Sequence, residues 1–357
     1  MLQYRKGLKN MPAYDGTDKY YTIKVNANEC NMAMPPLVNE RVMNRLASVP
    51  INRYPGEEYY DLTGQIAKNF GLRPENVFLG NGSSELIEKI FYCFGGSKAQ
   101  KIVFPDPSFS MYYIYAQAAQ ATAVPVPLEA DFTLDLDKFV TAINDNQASL
   151  AVLCNPNNPT GGVLSVSDIQ YILDNIKTST CFLLDEAYVE FYGRSATGLL
   201  KEYPNLIVAR TFSKAYGLAG ARVGYMLASQ AITEMIGKSF MPYHMNSLSL
   251  AVADICYQMR QEFVPHIQIM ISERKRMAGL LKELPGFAVY PSETNFLLVH
   301  VNDQKELVDL LEKNDIGVRF FSSDNKRLKD CIRISMGTRE ENDTWYGLMK
   351  AFAEGRG

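Results

Sequence analysis

One lysine, Lys214, stands where a reactive group would be useful. It follows an apolar run, Leu206 to Val208, that predicts a buried strand, and Gly217 and Gly220 come shortly after it. Most lysines just past a strand are solvated loop residues, because a charged amine is costly to bury. A lysine held beside a strand end can instead act as an amine nucleophile. Other parts of the sequence decide between these two interpretations.

Polar segments follow two other apolar runs in the same way. Asp185 and Tyr188 come after the run from Cys181 to Leu184. Asn158 lies in a proline- and glycine-rich loop after the run from Leu150 to Cys154, and such a loop can aim a carboxamide. A carboxylate at the end of a hydrophobic strand needs a cationic partner or hydrogen-bond donors to stay ionised. These residues are therefore candidates for a binding site.

Two further segments offer groups for a phosphate and an aromatic ring. The turn from Gly80 to Ser84 lies between a predicted strand and a predicted helix, so it presents free N–H groups and the positive end of a helix dipole. Ser213 and Arg222, close to Lys214, add a hydroxyl and a guanidinium. Phe109 follows the predicted strand from Lys101 to Phe104 and offers an aromatic ring, although a core position explains it equally well.

All of these segments occupy one place in the predicted fold. Strands and helices alternate from residue 77 to residue 208, which predicts an α/β protein with a mostly parallel central sheet and helices on both faces. In such sheets ligands bind at the carboxyl ends of the strands, so the polar residues should converge. Beyond Ala228 helical patterns dominate to about Leu284. Phe296–Val299 and Ile332–Ile334 then predict strands of a smaller α+β domain.

We divide the chain into three parts on this pattern. Residues 1–30 form a polar N-terminal arm, residues 31–240 the large domain, and residues 241–357 the small C-terminal domain. The segment 31–50 is a candidate for packing with the small domain.

The composition excludes several classes of function. Of the 357 residues 47% are hydrophobic and 21% charged, and a net charge of −3 gives no basic field for nucleic acid. Neither a secretory signal nor an apolar run long enough to cross a membrane is present, and the six scattered cysteines fit a reducing compartment. We expect a cytoplasmic protein. Only three histidines occur, without clustering, so a metal site is not expected.

The converging side chains match the needs of one cofactor. They supply an amine nucleophile, an acid for a protonated ring nitrogen, a phenol and an amide for a ring oxygen, an aromatic plate, and a phosphate cup with an arginine. Pyridoxal 5′-phosphate, bound as a Schiff base with lysine, requires all of these. This combination favours a reactive Lys214.

Across nearly its whole length the chain resembles the fold-type I pyridoxal-phosphate-dependent aminotransferases, and within them the histidinol-phosphate aminotransferase family. The resemblance rests on the motifs Asn52-Arg-Tyr-Pro, Gly80-Asn-Gly-Ser, Asn155-Pro-Asn-Asn-Pro-Thr-Gly, Asp185-Glu-Ala-Tyr-Val-Glu-Phe, Arg210 to Tyr225, and Arg333-Ile-Ser-Met-Gly-Thr-Arg-Glu-Glu-Asn. These motifs are highly specific for fold and cofactor and less specific for substrate.

The resemblance implies a role for each residue around the cofactor ring. Lys214 binds the cofactor covalently and Asp185 pairs with the ring nitrogen. Tyr188 and Asn158 bind the ring hydroxyl. Phe109, where the family usually has tyrosine, stacks on the ring. Lys214, Asp185 and Tyr188 are the catalytic candidates.

Other residues are implied to hold the phosphate. The backbone groups of Ser83 and Ser84, together with Ser213 and Arg222, bind the cofactor phosphate from within the chain. Tyr54 resembles a residue that reaches the phosphate of a neighbouring subunit. A homodimer with shared active sites is therefore implied.

The substrate contacts are implied in the same way. Arg333 resembles an arginine that grips an α-carboxylate as a bidentate fork. Arg319 and Tyr14 resemble positions that shape the pocket for the distal group, and Asn28 is also a candidate for substrate binding. The sequence departs from the family at Cys30, where a proline is common, at Ser84, where an acid is frequent, and at Phe109.

The implied reaction is transamination between an amino donor and a 2-oxo acid. The first choice is histidinol phosphate with 2-oxoglutarate, giving imidazole-acetol phosphate and glutamate, a reaction of histidine biosynthesis. Three alternatives stay open: an aromatic amino acid aminotransferase, a threonine-phosphate decarboxylase, and a non-catalytic regulator that binds pyridoxal phosphate.

Overall fold

A seven-stranded sheet lies at the centre of the computed structural model, which describes residue 11, residues 19–321 and residues 326–355. All strands of the described residues, in chain order, are β1 (Ile23–Lys24), β2 (Val77–Gly80), β3 (Lys101–Asp106), β4 (Thr122–Pro127), β5 (Leu150–Cys154), β6 (Cys181–Asp185), β7 (Leu206–Thr211), β8 (Gly224–Ala228), β9 (Phe287–Val289), β10 (Phe296–Val301), β11 (Ile316–Gly317), β12 (Arg319–Phe320) and β13 (Cys331–Ser335). Strands β2 to β8 form the central sheet.

The helices alternate with these strands through the first two thirds of the chain. They are α1 (Pro36–Leu46), α2 (Glu57–Phe70), α3 (Gly82–Phe94), α4 (Met111–Ala118), α5 (Leu136–Asp145), α6 (Val166–Asn175), α7 (Val189–Tyr192), α8 (Gln230–Gly237), α9 (Ser247–Gln258), α10 (Val264–Lys282), α11 (Gln304–Lys313) and α12 (Arg339–Ala353).

The central sheet has the strand order β2-β8-β7-β6-β5-β3-β4 and is parallel except at β8. Strands β5, β6, β7 and β8 are buried along their whole length, which is why their sequences are continuous apolar runs that do not alternate with polar residues, with polar side chains only at the carboxyl ends of β6 and β7. The prediction of a mostly parallel sheet covered on both faces is confirmed. The register places Asp185 opposite Cys154 on one side and Ala209 on the other.

Two strands of this sheet were not predicted. β4 contains Pro125 and Pro127, which cannot donate hydrogen bonds to a partner strand, and it lies at the sheet edge where prolines are tolerated. β8 was interpreted only as an apolar run. It reverses direction after the loop that carries Lys214, so it returns antiparallel to β7.

Apolar cores cover the two faces of the sheet. Helices α1, α2, α5, α6 and α9 cover one face, and α3, α4 and α8 cover the other. Side chains alternate between the faces: Val103 and Leu184 point to the first core, and Ile102 and Leu183 to the second. Every strand end is therefore held rigidly where its following loop begins.

A smaller sheet forms the second unit, as predicted. Its strands run antiparallel in the order β12-β13-β10-β9, and its core surrounds the buried Trp345 of α12. A separate two-stranded sheet joins β1, near the N-terminus, to β11. The part of the arm that contains β1 is thereby attached to the small unit.

The core of the large unit continues beyond residue 240. Leu250 and Ala253 of α9 pack in the same core as Val38 of α1 and Leu62 of α2. The segment 31–50 therefore lies against the large unit together with α9. Helix α10 then connects the units, since its last turns pack in the core of the small one. An apolar helical pattern does not reveal which of two cores it joins, so the predicted boundary falls too early.

Candidate active site

Lys214 lies in the loop after β7 and is largely buried. Its Nζ donates a hydrogen bond of 3.0 Å to the carbonyl oxygen of Ala27 and lies 5.9 Å from the ring centre of Tyr188. Burial, together with the positive charge of Arg333, lowers the pKa of Lys214 to about 8. This raises the neutral fraction of the amine at pH 7 by about two orders of magnitude. A neutral amine can act as a nucleophile or as a base.

Asp185 ends β6 and is buried. The Tyr112 hydroxyl donates to its Oδ2 at 2.8 Å, and the backbone N–H of Ala187 donates to its Oδ1 at 3.2 Å. Burial raises the pKa of Asp185 to about 6, although these hydrogen bonds act in the opposite direction. Among the described residues no lysine or arginine forms an ion pair with this carboxylate. A protonated ring nitrogen would supply the missing positive charge.

Tyr188 and Asn158 are both held by residues from other elements. The hydroxyl of Tyr188 accepts a 2.9 Å hydrogen bond from Asn28, and Arg333 donates to the Oδ1 of Asn158 at 2.7 Å. The loop that carries Asn158 is fixed at Gly161, because a Cβ atom there would collide with Ser292. The loop is therefore rigid, as its composition predicted.

The glycine turn and Arg222 lie together at the start of α3. Gly82 has a φ of 78°, and a Cβ on it would lie 2.7 Å from Nη2 of Arg222. Ser83 and Ser84 occupy the first turn of this thirteen-residue helix, where backbone N–H groups are free to bind an anion. Ser213 is buried next to Lys214. The turn, the guanidinium and the helix dipole suit a phosphate.

Phe109 and Tyr54 differ in their placement. Phe109 is partly buried at the start of α4, with its ring centre 5.5 Å from that of Tyr112. Tyr54 is exposed and stacks on Tyr243 at a ring-centre distance of 4.5 Å. Its aromatic ring is thus presented to the surface of the chain.

The arginines expected to bind substrate are direct neighbours across two strands. Arg319 of β12 pairs with Arg333 of β13, so both side chains leave the same face of the small sheet. Arg333 also donates to the carbonyl oxygen of Asn26 at 2.5 Å, while Arg319 is exposed. Like charges directly opposite each other are unfavourable unless an anion lies between them. Tyr14, the third expected contact, lies outside the described residues.

Asn28, a candidate for substrate binding, is buried and donates a hydrogen bond to the hydroxyl of Tyr188. Its side chain is fully buried, and its Oδ1 accepts a 3.0 Å hydrogen bond from Ser335. Its backbone has a φ of 55°, and its carbonyl oxygen accepts a hydrogen bond from Asn295. These contacts hold the Asn28 side chain against the phenol of Tyr188, and its predicted contact with substrate stays a prediction.

Sequence reasoning missed Tyr112, which contacts the buried acid directly. Its signal was its position three residues after Phe109, just inside the helix predicted from Met111; a hydrogen bond from the Tyr112 N–H to the Phe109 carbonyl closes this turn, and the two rings meet. The carbonyl of Ala27 and the hydroxyl of Ser335 were also missed. A backbone group carries no sequence signal, and a single serine on a strand carries very little.

The residues present fit pyridoxal phosphate. The site contains a lysine whose pKa is lowered, a buried carboxylate without an ionic partner among the described residues, and a helix N-terminus beside an arginine. The described residues contain no group of three His, Cys, Asp or Glu side chains suited to a metal ion. Within the same part of the chain, none of the helices has the length and apolar character that a membrane span requires.

Comparison with known proteins gives consistent matches. The family model for class I and II aminotransferases matches residues 21–346. The chain is 38% identical over 339 residues to a histidinol-phosphate aminotransferase of Thermoanaerobacter sp. (strain X514), covering 95% of this chain and 94% of that protein. It is 37% identical over 350 residues to the protein of that name from Thermococcus kodakarensis, covering 98% of each.

Solved structures match over similar lengths. The histidinol-phosphate aminotransferase from Sinorhizobium meliloti, in complex with pyridoxal-5′-phosphate, aligns with a TM-score of 0.86 at 25% identity and covers 94% of this chain and 92% of that one. The L-threonine-O-3-phosphate decarboxylase from Porphyromonas gingivalis aligns with a TM-score of 0.79 at 22% identity, covering 93% of this chain and 99% of that one, a likeness of fold alone.

Proposed function

The chain belongs to the class I and II aminotransferases, and we propose that it transfers the amino group between histidinol phosphate and 2-oxoglutarate with pyridoxal phosphate as cofactor. The products are imidazole-acetol phosphate and glutamate, and the reaction belongs to histidine biosynthesis. The observation that carries the choice of substrate is the pairing of Arg319 with Arg333 in the small sheet, because the charge of Arg333 also acts on Lys214. The names of the relatives at 34–38% identity support the same choice.

Each part of the cofactor has residues suited to hold it. Asp185 would pair with the ring nitrogen, Tyr188 and Asn158 would bind the ring hydroxyl, and Phe109 would stack on the ring. Ser213, Arg222 and the backbone of Ser83 and Ser84 would bind the phosphate. When bound, the cofactor supplies the aldehyde that accepts the amino group and the ring that withdraws electrons from the substrate α-carbon.

Lys214 holds the cofactor and then moves the proton. When its Nζ is not bonded to the cofactor, it would be a free amine, which is a base when neutral. Its lowered pKa allows it to take the proton from the α-carbon near neutral pH. The Ala27 carbonyl accepts a hydrogen bond from Nζ and limits where the amine can move. Asp185, held by Tyr112, stabilises the positive charge on the ring nitrogen.

The two arginines serve both halves of the reaction. Glutamate carries a carboxylate on its α-carbon, whereas histidinol phosphate carries a phosphorylated hydroxymethyl group there. Arg333 can bind either anion with its guanidinium fork. The phosphate is larger and doubly charged, so it also reaches Arg319 on the neighbouring strand. One site can therefore take both substrates in turn.

Arg319→Ala tests this division of roles. We expect the KM for histidinol phosphate to rise by about 10- to 100-fold, because one charge-assisted hydrogen bond to the phosphate is lost. The KM for glutamate should change much less, since Arg333 still holds its α-carboxylate. Lys329→Ala, which removes an exposed positive charge from the loop before β13, is the matched control. Equal effects of Arg319→Ala on both substrates would contradict the assignment. Steady-state kinetics with each substrate provide the measurement.

We further propose a homodimer in which Tyr54 reaches the cofactor phosphate of the partner subunit. The support is an apolar patch around Tyr54 and its stacking partner Tyr243, with Ile51 and Met241 more than three-quarters exposed. Contiguous exposed apolar surface of this kind marks protein interfaces.

The six cysteines are all free, which supports a reducing, cytoplasmic location.

Met241→Asp is expected to weaken this dimer, because it places a charge in the patch. Sedimentation velocity should show a shift towards monomer at micromolar concentration, accompanied by loss of activity. Met235→Asp, at an exposed methionine on α8, is the matched control and should leave the dimer intact. A Met241→Asp protein that sediments as the wild type does would remove this patch from the interface.

A further inference from the structure

Asp185 has a buried phenol as its side-chain partner. The hydroxyl of Tyr112, on α4, donates to Oδ2 of Asp185 at 2.8 Å, and both residues are buried. Tyr112 is also within hydrogen-bonding reach of the Cys154 thiol at the end of β5. The phenol therefore lies between two strand ends of the sheet, directly behind the acid.

The ring of Tyr112 has little freedom to move. Phe91 stacks on it at a ring-centre distance of 5.9 Å, Phe104 lies at 5.8 Å, and Phe109 meets it edge to face at 5.5 Å. Close packing on three sides fixes the ring, and a fixed ring fixes its hydroxyl. The same packing connects Tyr112 to Phe109, the residue suited to stack on the cofactor.

The charges around Asp185 show why such a donor matters. The charge of Lys214 favours the ionised form of Asp185, but the reaction uses that lysine. Glu186, the next residue, disfavours the ionised form. The titratable groups that face Asp185 from the elements packed around it are Tyr112, Tyr115, Cys154, Glu186, Tyr188 and Lys214. Of these, Tyr112 forms a hydrogen bond with the carboxylate.

We infer that Tyr112 is a positioning residue that orients the Asp185 carboxylate and keeps it ionised for its contact with the cofactor ring. The inference rests on the proposed role of Asp185. A hydrogen bond donated to a carboxylate favours the charged form, and a donor fixed by packing also sets the rotation of the carboxylate. Because Tyr112 does not touch the reacting atoms, its loss should affect turnover more than substrate binding.

The first test uses the cofactor-free protein, so it does not depend on which substrate is correct. Tyr112→Phe keeps the ring and removes the hydroxyl. Asp185 is protonated in both forms at low pH and ionised at high pH. The melting temperature of the wild type should therefore exceed that of the variant by an amount that grows from pH 5 to pH 8, reaching about 2 to 4 °C.

A second background isolates the pair. In an Asp185→Asn protein no carboxylate titrates at this position, so the effect of Tyr112→Phe should become independent of pH. Tyr257→Phe makes the same chemical change in the core on the other face of the sheet and serves as the matched control. Its effect on melting temperature should show no growth over this pH range.

The second test follows turnover of glutamate by the holoenzyme. In Tyr112→Phe the acid limb of the kcat profile should move upward by about one pH unit, while KM for glutamate stays within about twofold. Replacing Tyr112 with 3-fluorotyrosine, whose phenol is a stronger donor, should move the limb in the opposite direction. If the proposed substrate is wrong but this inference is right, the melting data still show the coupling.

Two outcomes would overturn the inference. One is a difference in melting temperature between wild type and Tyr112→Phe that is constant from pH 5 to pH 8. The other is an unchanged acid limb for both Tyr112→Phe and the fluorotyrosine protein. If Tyr112→Phe fails to fold, the fluorotyrosine protein decides the matter, because it differs from the wild type by a single fluorine atom.

Discussion

Lys214→Ala should lower turnover by at least about 10⁴-fold, because one side chain supplies both the covalent link to the cofactor and the base that moves the α-proton. The Ala27 carbonyl accepts a hydrogen bond from Nζ and so orients this amine in the site. The measurement is glutamate formation over hours at high enzyme concentration. The variant should still fold, because removal of the buried amine leaves no carboxylate without an ion-pair partner.

Lys214→Arg is the matched control for this substitution. It keeps a positive charge at the position but has no amine of normal reactivity, so it should be as inactive as the alanine variant. After treatment with borohydride and cofactor, the wild-type protein alone should gain mass on Lys214. A Lys214→Ala protein that keeps a substantial fraction of the wild-type turnover, or that gains the same mass, would show that another residue does the chemistry.

The second large effect is expected at Asp185, where activity and stability should change in opposite directions. Asp185→Asn removes the negative charge that supports a protonated ring nitrogen, and kcat should fall by about 10³-fold. Asparagine is similar in shape, and its carbonyl can still accept the hydrogen bond from Tyr112. The loss should therefore appear in kcat, with little change in KM.

The stability change follows from the raised pKa of Asp185. Its pKa is about 6 when folded, above its usual value near 4, so folding favours the protonated form. The contribution of this group is fully favourable below pH 4 and is lost as the pH rises through 6. At pH 8 the cofactor-free Asp185→Asn protein should be more stable than the wild type by about 2 kcal/mol.

Chemical denaturation of the two cofactor-free proteins at pH 4 and pH 8 tests this expectation. The difference should be present at pH 8 and nearly absent at pH 4. Asp254→Asn, at a partly buried acid of α9, is the control and should keep normal turnover. An Asp185→Asn enzyme with normal turnover would show that the mechanism does not need Asp185. A variant that is less stable than the wild type at pH 8 would show that the protein already stabilises the ionised carboxylate.

The alternation of apolar runs with helical patterns was sufficient to predict the central sheet, because strands buried on both faces need continuous apolar sequence. It did not predict β4, because prolines are unusual in strands and β4 is an edge strand. It also did not place the domain boundary beyond residue 240, because the apolar pattern of α9 would be the same in either core. Parallel strands also bring their following loops together, which is why residues as distant as Asn158 and Lys214 could be assigned to one site.

The details that sequence could not supply depend on contacts between distant segments. The hydrogen bond of Asn28 to Tyr188 depends on a left-handed backbone and on Ser335 of another unit. The pairing of Arg319 with Arg333 depends on the register of two short strands. Register, backbone carbonyls and buried phenols such as Tyr112 leave little trace in a single sequence.

The most direct test of the account is a panel of amino donors with 2-oxoglutarate. We expect glutamate to form, with kcat/KM for histidinol phosphate at least about 100-fold above that for phenylalanine, because only the phosphate engages both arginines. Preference for phenylalanine would instead indicate an aromatic amino acid aminotransferase. Release of CO₂ from threonine phosphate, or no glutamate from any donor, would contradict the proposed reaction.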